Sequence, residues 1–459
     1  MKNFLSSLLS FLFVIVQLHL SDFNTIQAQR LYWLKNLTAS SISSASAVSN
    51  DGMIVLGVMD DKAVVWNRYL DTVLVVLDNS SQLSSCDSSG MIAVGLSNPG
   101  YYAHQTPFMW SSQSGFQWLP PTPEFGWVVD ITPSGSIAVG KAKSPVSSDR
   151  LPAIWNLSLN PPVYQTYSVG NNMNHGEAYG VSDDGRTIVS FGHGSGWGYR
   201  GVVFNLNPDF TLNWWYYLLP DSGHFGCVPR SISENGDIAV GSSGNLWGGS
   251  YYPVMWRLEN DWKPELLANL GGNASEANDI RGDVIVGFST TSDNQRYAVR
   301  WQLNTATTQV EDLNQTYSSL LNDGSILRTA NKLSSNGRFI VGQGYNASTN
   351  RNQAYLLDTQ IETKVSEQKA GAKFQINLLS HPVRERAQIY INVPDGNHIA
   401  TLEIYDILGR TVMVPFKDIM LFRGRTSLSF DVKSLSSGLY LMVLKSNNLH
   451  SVLPMVVVR

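Results

Sequence analysis

Apolar residues along most of the chain form short runs of four to six positions, alternating or continuous, with Gly-rich turns between them. Such runs, rich in Val, Ile and aromatic residues, predict β-strands. No stretch of ten or more residues shows the period of about 3.6 residues that marks an amphipathic helix. The pattern therefore predicts an all-β fold.

The strand-like runs recur as repeats that align on a turn glycine, with a second small residue, usually glycine, five positions later. The seven copies are Val48–Gly57, Cys86–Gly95, Ile131–Gly140, Val181–Ser190, Ile232–Gly241, Ile280–Gly287 and Leu333–Gly342. Successive turn glycines lie 38 to 55 residues apart. This spacing is typical of propeller blades and too long for leucine-rich repeats.

A second block follows each turn and ends, in chain order, at Trp66, Trp110, Trp155, Phe204, Trp256, Trp301 and Leu357. We therefore predict four strands in each repeat. Strand A precedes the turn, strand B follows it, strand C coincides with the second block, and strand D follows strand C. The last repeat lacks a convincing strand D, whereas 31–37 resembles one without a repeat ahead of it. We therefore predict a seven-bladed β-propeller over 29–358 in which 31–37 completes the last blade, because closure shelters strand edges.

Aromatic residues fall into two classes in this scheme. The tryptophans at the repeated position are predicted to pack between blades. Other aromatic residues do not recur and lie beside glycines in B–C loops, which share one face of the ring with the D–A loops. These give the candidate ligand-binding residues, because Trp and Tyr offer large contact areas with a polar tip: Trp197, Tyr199, Trp247, Tyr251 and Tyr252.

Four histidines lie in loops of the same face: His104, His175, His193 and His224. They form a metal or acid–base cluster only if their loops converge, since no pair has ligand spacing. Cys86 stands at an apolar repeat position, and Cys227 lies three repeats away, so we predict no disulfide between them. Arg281-Gly282-Asp283 fits a tight hairpin better than an integrin motif. No catalytic residue, metal site or cofactor is predicted.

The pattern Val-Ser-x-Asp-Gly-x-x-x-Val-Gly, followed by Ala-x-x-Trp, resembles the extracellular HAF repeat family over residues 45–358. This resemblance implies a secreted propeller. It implies no motif-defined active site, so no catalytic residue is transferred to this chain.

The last part of the chain carries a second resemblance. The segments 381–383 (His-Pro-Val), Ile404–Arg410 and Asp431–Leu441 are similar to the C-terminal sorting domain of type IX secretion cargo. The resemblance implies an immunoglobulin-like β-sandwich over 374–459 that is recognised by the type IX secretion machinery of a Gram-negative bacterium. It also implies a product that is secreted or attached to the outer-membrane surface. Residues 359–373 are polar and lack aromatic residues, as expected of a linker.

Residues 1–28 contain Lys2, a short apolar run and Ala28 at the end, which predicts a secretory signal peptide. No later segment is apolar enough to cross a bilayer as a helix. The net charge of −4 provides no positive field for a polyphosphate backbone, so nucleic acid is excluded as a partner.

Two functional hypotheses remain. The first is an exported, non-enzymatic propeller that binds a glycan or a protein through its variable loops. The alternative is a secreted, glycosidase-like hydrolase with carboxylates or histidines over the central channel. The sequence identifies neither the ligand nor the oligomeric state.

Overall fold

The computed structural model describes residues 30–459 apart from short stretches. These stretches are 69–70, 79, 98–104, 122–124, 170–172, 195–196, 246–248, 304–308, 360–374, 379–382, 394–397, 407–409, 422–423 and 447–448. The predicted signal peptide and nearly all of the predicted linker lie outside the described residues. The chain divides into two compact units between Ile361 and Glu362, and each unit is described by itself.

The first unit is built almost entirely of short strands, as the all-β prediction requires. Its first half contains β1 (Arg30–Trp33), β2 (Ser43–Val48), β3 (Ile54–Met59), β4 (Lys62–Asn67), β5 (Thr72–Leu77), β6 (Ser81–Cys86), β7 (Ile92–Ser97), β8 (Thr106–Ser111), β9 (Gly115–Trp118), β10 (Gly126–Ile131), β11 (Ile137–Lys143), β12 (Arg150–Asn156), β13 (Val163–Thr166) and β14 (Met173–Val181).

The second half of this unit continues the same pattern. It contains β15 (Thr187–Gly194), β16 (Trp197–Leu206), β17 (Leu212–Leu218), β18 (Gly226–Ile232), β19 (Ile238–Gly244), β20 (Tyr251–Arg257), β21 (Pro264–Leu266), β22 (Gly271–Arg281), β23 (Val284–Thr291), β24 (Arg296–Gln302), β25 (Val310–Asp312), β26 (Ile326–Leu333), β27 (Phe339–Asn346) and β28 (Arg351–Asp358). The helical turns are an α-helix at Leu313–Thr316 and 3-10 turns at Leu258–Asn260 and Ser318–Leu320.

Among the described residues, these strands pair antiparallel in seven groups of four. Six groups are consecutive along the chain: β2–β5, β6–β9, β10–β13, β14–β17, β18–β21 and β22–β25. In the seventh group, β26, β27 and β28 are joined by β1, which pairs antiparallel with β28 in the register Leu31↔Leu357. The two ends of the unit therefore share one sheet.

The first strand of each group packs against the first strand of the next. This succession runs from β2 through β6, β10, β14, β18 and β22 to β26, and β26 packs against β2. Because the succession returns to its start, the first strands surround a common centre. Their N-terminal ends adjoin the connections between groups and the loops between second and third strands.

Each of the seven first strands has a register shift shortly before its end. The bulged residues stand two positions before the last apolar residue of the strand: Ser46, Ser84, Val129, Tyr179, Arg230, Asn278 and Asn331. The shift brings a first-strand carbonyl close to the second strand. At Gly241, an added Cβ would lie 2.0 Å from the Val228 carbonyl oxygen, which explains the repeated glycine at this position.

The repeated tryptophans pack between neighbouring groups, as predicted. Trp256 is fully buried and shares a cluster with Val203 and Leu218 of the preceding group. Its indole Nε1 donates to the Leu219 carbonyl oxygen at 2.9 Å. Trp66, Trp155 and Trp301 make the same kind of indole bond to a backbone carbonyl oxygen, so each of these tryptophans contributes apolar contact and a satisfied hydrogen bond to the joint between groups.

The second unit consists of two sheets around one core. Its strands are β29 (Gln375–Leu378), β30 (Arg386–Val393), β31 (His398–Asp406), β32 (Thr411–Leu421), β33 (Gly424–Asp431), β34 (Gly438–Ser446) and β35 (Leu449–Val457). One sheet has the order β29-β30-β33 and the other has the order β32-β31-β34-β35. Ile389 and Phe430 from the first sheet share a buried cluster with Leu402 and Met442 from the second. Throughout the described residues, no helix has the length and apolar character needed to span a bilayer.

Candidate functional site: a charged row and an aromatic patch

A row of charged and polar side chains links four neighbouring groups of the first unit. Its members are Lys141, Glu177, Tyr179, Arg230, Ser242 and Glu276, which we call the mouth row. Glu177, Tyr179, Arg230 and Glu276 are on the first strands β14, β18 and β22, and Lys141 and Ser242 are on second strands. The row therefore borders the centre of the ring.

Short contacts connect successive members of the mouth row. Lys141 Nζ lies 2.6 Å from Glu177 Oε1, and the Tyr179 hydroxyl donates to Glu177 Oε2 at 2.7 Å. The Arg230 guanidinium lies 5.0 Å from the centroid of the Tyr179 ring. Arg230 Nε donates to Glu276 Oε1 at 2.7 Å, and Ser242 Oγ donates to the same oxygen at 3.0 Å. Each carboxylate therefore faces one cation and one hydroxyl donor.

Burial and neighbouring charge shift the pKa values of two groups in the row, Tyr179 and Arg230. Burial raises the pKa of the Tyr179 phenol, and the adjacent Glu177 raises it further, so the phenol stays neutral and can donate. Burial opposes the charge of Arg230, but Glu276 and Tyr179 outweigh burial and raise its pKa. Tyr179 and Arg230 are therefore hydrogen-bond donors in the row.

An aromatic patch adjoins this row, and we define it as His224, Phe225, Tyr251 and Tyr252. The rings of His224 and Tyr252 stack with centroids 5.6 Å apart, and His224 Nδ1 lies 2.8 Å from Ser243 Oγ. Ser243 is fully buried and also accepts from the Asp221 backbone N–H, so it holds the imidazole in place. Phe225 is 80% exposed.

Tyr251 connects the aromatic patch to the mouth row. Its backbone pairs with Ala274, two residues before Glu276 on β22. Its ring packs edge-on to Phe288 at 6.4 Å, and Arg296 covers Phe288 at 4.0 Å. Burial raises the pKa of Tyr251, and the charge of Glu276 adds to this effect.

The predicted binding residues are only partly covered by the described structure. Tyr251 and Tyr252 lie together at the start of β20, as their adjacency requires. Trp247 lies outside the described residues. Trp197 and Tyr199 belong to β16, but their side chains lie outside what the structure describes. Whether the five residues form one surface therefore stays a prediction.

The predicted histidine cluster is also only partly covered. His104 lies outside the described residues, and the side chain of His193 does as well. His175 is opposite His193 in the β14–β15 ladder, and His175 is exposed. Among the described side chains, no hydrogen bond links His175 to His224, and no group of three or more His, Cys, Asp or Glu residues is arranged to hold a metal ion.

A second cluster of charges lies deeper in the ring, toward the turns between first and second strands. We call Asp130, Asp279 and Lys332 the ring plug. Lys332 Nζ lies 3.1 Å from Asp130 Oδ1 and 3.3 Å from Asp279 Oδ1. Asp130 and Lys332 belong to the third and seventh groups, which are not neighbours. Their contact therefore crosses the centre of the ring.

Hydroxyl and backbone groups complete the ring plug. Ser85 Oγ donates to Asp130 at 2.8 Å, and Ser231 Oγ donates to Asp279 at 2.7 Å. Burial opposes the charge of Lys332, but the two aspartates outweigh burial and raise its pKa above the ordinary value of 10.5. The ring plug is thus a buried, hydrogen-bonded ion cluster.

Arg281 of the Arg-Gly-Asp tripeptide belongs to the same end of the ring. Its side chain is only 7% exposed, and Nη1 lies 2.6 Å from Asp183 Oδ1. This geometry agrees with the expectation that the tripeptide forms a hairpin. Cys86 and Cys227 are both buried and unpaired, as predicted, and burial raises the pKa of the Cys227 thiol to about 12.

Sequence reasoning missed both the mouth row and the ring plug. A signal for part of the row exists in the repeats. The bulge position carries Ser46, Asn278 or Asn331 in three groups, whereas it carries Tyr179 and Arg230 in two others. The former residues bond to the next group: Asn278 Nδ2 donates to the Ala330 carbonyl oxygen at 2.9 Å, for example. A large residue at this position departs from that scaffold role.

Comparison with protein families matches residues 381–458 to the secretion system C-terminal sorting domain. This match supports the predicted type IX sorting tail and a secreted or cell-surface location. It covers the tail and not the first unit. No curated protein matches the chain.

Many solved structures match the chain at low similarity, and one of them is described as a β-propeller domain. TolB from Acinetobacter baumannii is 11% identical with a TM-score of 0.36, and the match covers 59% of this chain and 65% of TolB. The β-propeller domain of the trilobed protease from Pyrococcus furiosus, described as having an open velcro topology, is 12% identical with a TM-score of 0.38, covering 56% and 80%. Hydrazine synthase from Kuenenia stuttgartiensis is 12% identical with a TM-score of 0.41, covering 69% and 95%. These likenesses concern the fold and carry no information about activity.

Proposed function

We propose that this chain is an exported, seven-bladed β-propeller that binds an extracellular glycan or protein ligand through the face bearing the mouth row and the aromatic patch. The closed succession of first strands and the pairing of β1 with β28 support this architecture. In this proposal the propeller spans 29–358, and the sequence pattern of the HAF repeat supports its extracellular role.

The export part of the proposal rests on the two ends of the chain. Residues 1–28 act as a signal peptide, 359–373 act as a linker, and 374–459 form an immunoglobulin-like domain that the type IX machinery of a Gram-negative bacterium recognises. The family match over 381–458 supports the sorting role of the tail. We expect deletion of 374–459 to leave the protein in the periplasm, and immunoblots of cell fractions measure this. Undiminished export without the tail would contradict it.

The observation that carries the binding proposal is the aromatic patch. Phe225 is 80% exposed, and Tyr252 stacks on an imidazole that a buried serine orients. Exposed apolar rings on a rigid support are typical of binding surfaces, because little ordering entropy is lost when a ligand covers them. Trp197, Tyr199 and Trp247 extend this surface in our proposal.

The binding proposal is tested with glycan and protein arrays probed with the full chain. We expect Tyr251→Ala and Tyr252→Ala each to lower affinity for the captured ligand by at least about tenfold, as for central interface residues. Trp197→Ala and Trp247→Ala test the extension in the same format. Tyr216→Ala is the matched control, because Tyr216 is 53% exposed on β17, the outermost strand of its group. Unchanged affinity in all four test variants would contradict the proposed surface.

The hydrolase alternative stays a prediction that no particular contact favours. Glu177 and Glu276 each already accept from a cation and a hydroxyl donor within the row.

A further inference from the structure

We propose that the mouth row is a saccharide-binding site that recognises a neutral pyranose unit, at the end of a glycan or in a short oligosaccharide, by its hydroxyl groups. This inference rests on the proposed binding function and names the ligand class. Four observations support it: the place of Tyr179 and Arg230 at the bulge position of their repeats, the balanced charge of the row, its aromatic neighbours, and the ring plug that fills the channel below it.

Tyr179 and Arg230 of the row differ in their bonding from the residues that occupy the same bulge position in other groups. In the sixth and seventh groups, the bulged residues Asn278 and Asn331 each donate to a carbonyl oxygen of the next first strand, at 2.9 and 2.8 Å. Ser46 of the first group makes the equivalent bond to the Leu83 carbonyl oxygen. Tyr179 and Arg230 occupy this position but bond to side-chain carboxylates instead. β-Bulges commonly re-aim side chains next to functional sites.

The charge balance of the row favours a neutral ligand. Lys141 and Arg230 carry two positive charges, and Glu177 and Glu276 carry two negative charges, so the row has no net charge. A compensated row does not select an ion, but its ionised groups still form charge-assisted hydrogen bonds, which are about twice as strong as neutral ones. Sugar hydroxyls both donate and accept, so one ring can use a carboxylate and a guanidinium side by side.

The aromatic neighbours provide the second element of sugar recognition. Tyr251 adjoins Glu276 through the β20–β22 contact, and its raised pKa keeps the phenol neutral. Trp127 lies on β10, and the centroid of its ring is 4.9 Å from Nζ of Lys141. Aromatic rings beside hydrogen-bonding groups match the two kinds of surface on a pyranose: its C–H faces and its hydroxyl edge.

The ring plug closes the channel below the row. Asp279 follows Glu276 by three residues on β22, a rise of roughly 10 Å along a strand. At that depth the contact between Lys332 and Asp130 crosses the centre of the ring. A polymer therefore does not thread through, and the site suits a chain end or a short oligosaccharide.

The test measures affinity of the full chain for neutral and uronate-containing oligosaccharides on a glycan array, followed by calorimetry with the best neutral probe. We expect Arg230→Gln and Glu276→Gln each to weaken binding at least about tenfold. Tyr179→Phe removes a single hydroxyl and is expected to weaken it by a smaller factor. Raising salt from about 50 to 500 mM is expected to change the affinity less than about threefold, because the ligand is uncharged.

The matched control is the ion pair of Arg300 and Glu311, which lies on the outer strands β24 and β25 with Nε 2.8 Å from Oε2. Arg300→Gln and Glu311→Gln are expected to leave affinity unchanged. Circular dichroism tests whether each variant is folded. If Arg230→Gln or Glu276→Gln does not fold, the affinity of Tyr179→Phe still tests the proposed site.

The outcomes separate this inference from the proposed function. Neutral-glycan binding that persists in Arg230→Gln, Glu276→Gln and Tyr179→Phe but is lost in Tyr252→Ala would overturn the mouth row as the site while leaving a binding propeller. Exclusive capture of uronates or of protein ligands would overturn the neutral-saccharide class, again without removing the binding function. Absence of any ligand on both array types would contradict the proposed function itself.

Discussion

The mouth row and the ring plug use the same chemistry at two depths of one ring. Both combine carboxylates, cations and serine hydroxyls from several groups of strands. In the mouth row, the side chain of Arg230 retains 35% exposure and the carboxylates of Glu177 and Glu276 retain 15% and 12%. In the ring plug, Lys332 retains 16%, but the carboxylates of Asp130 and Asp279 retain only 2% and 0%. Water therefore solvates part of one cluster and little of the other.

This difference teaches what each cluster can do. A buried ion cluster depends on every partner, because removing one leaves an uncompensated charge in a medium of low polarity. A row whose carboxylates still reach the solvent tolerates the exchange of a protein contact for a water or ligand contact. We interpret the ring plug as part of the scaffold and the mouth row as available for recognition.

The largest expected effect comes from Lys332→Met. It removes the cation bonded to the buried Asp130 and Asp279 and leaves only the electrostatic influence of Arg281, so we expect the free energy of unfolding to fall by about 3 kcal/mol. Chemical denaturation followed by tryptophan fluorescence measures this. The triple variant with Asp130→Asn and Asp279→Asn is expected to recover part of the loss. A decrease below about 1 kcal/mol would remove the distinction between the two clusters.

A smaller loss of stability is expected from Arg230→Gln in the mouth row. Glu276 keeps its bond from Ser242 and gains water, so we expect a loss of about 1–2 kcal/mol in the same denaturation assay. A loss as large as that of Lys332→Met would show that the row is as much a part of the scaffold as the plug.

An alkaline titration sharpens the same comparison. The pKa of Lys332 in the folded chain is raised above 10.5. Its stabilising contribution is therefore complete below the unfolded value and is lost as pH rises through the folded value. The stability difference between the natural chain and Lys332→Met should be constant from about pH 7 to 9 and decrease above about 10.5. A difference that already shrinks in the neutral range would be inconsistent with the plug.

The smallest effect is expected at an exposed pair. Lys35 and Asp71 lie 2.9 Å apart, but their side chains are 56% and 81% exposed. We expect Lys35→Gln to change the free energy of unfolding by less than about 1 kcal/mol, because water and salt screen the pair. This variant gives the smallest expected loss of stability in the denaturation assay. A loss as large as that of Arg230→Gln would contradict the expectation that exposed ion pairs contribute less than the mouth row.

Much of the strand pattern followed from short-range features of the sequence. The predicted strand at 31–37 is observed as the shorter β1 (Arg30–Trp33), and it completes the last group as expected. Such predictions succeed because alternation and turn glycines act within a few residues. The burial of Trp66, Trp155, Trp256 and Trp301 was predictable for a related reason: recurrence at one repeat position indicates a repeated environment.

The candidate site was only partly predictable. Tyr251 and Tyr252 stood out as aromatic residues that break the repeat. Arg230 and Glu276 did not, because they lie 46 positions apart and nothing local indicates that they pair. The bulge that aims Arg230 arises from strand pairing, which no single segment encodes.

Sequence by itself determined the periodic strands, the positive-φ turn glycines, the buried tryptophans and the sorting motif of the tail, since each depends on residues a few positions apart. Only the tertiary structure decided which charges meet. Lys332 and Asp130 are separated by 202 positions and are brought together because the first strands surround one centre. Burial then sets the role of each charge, and burial is a property of the whole ring.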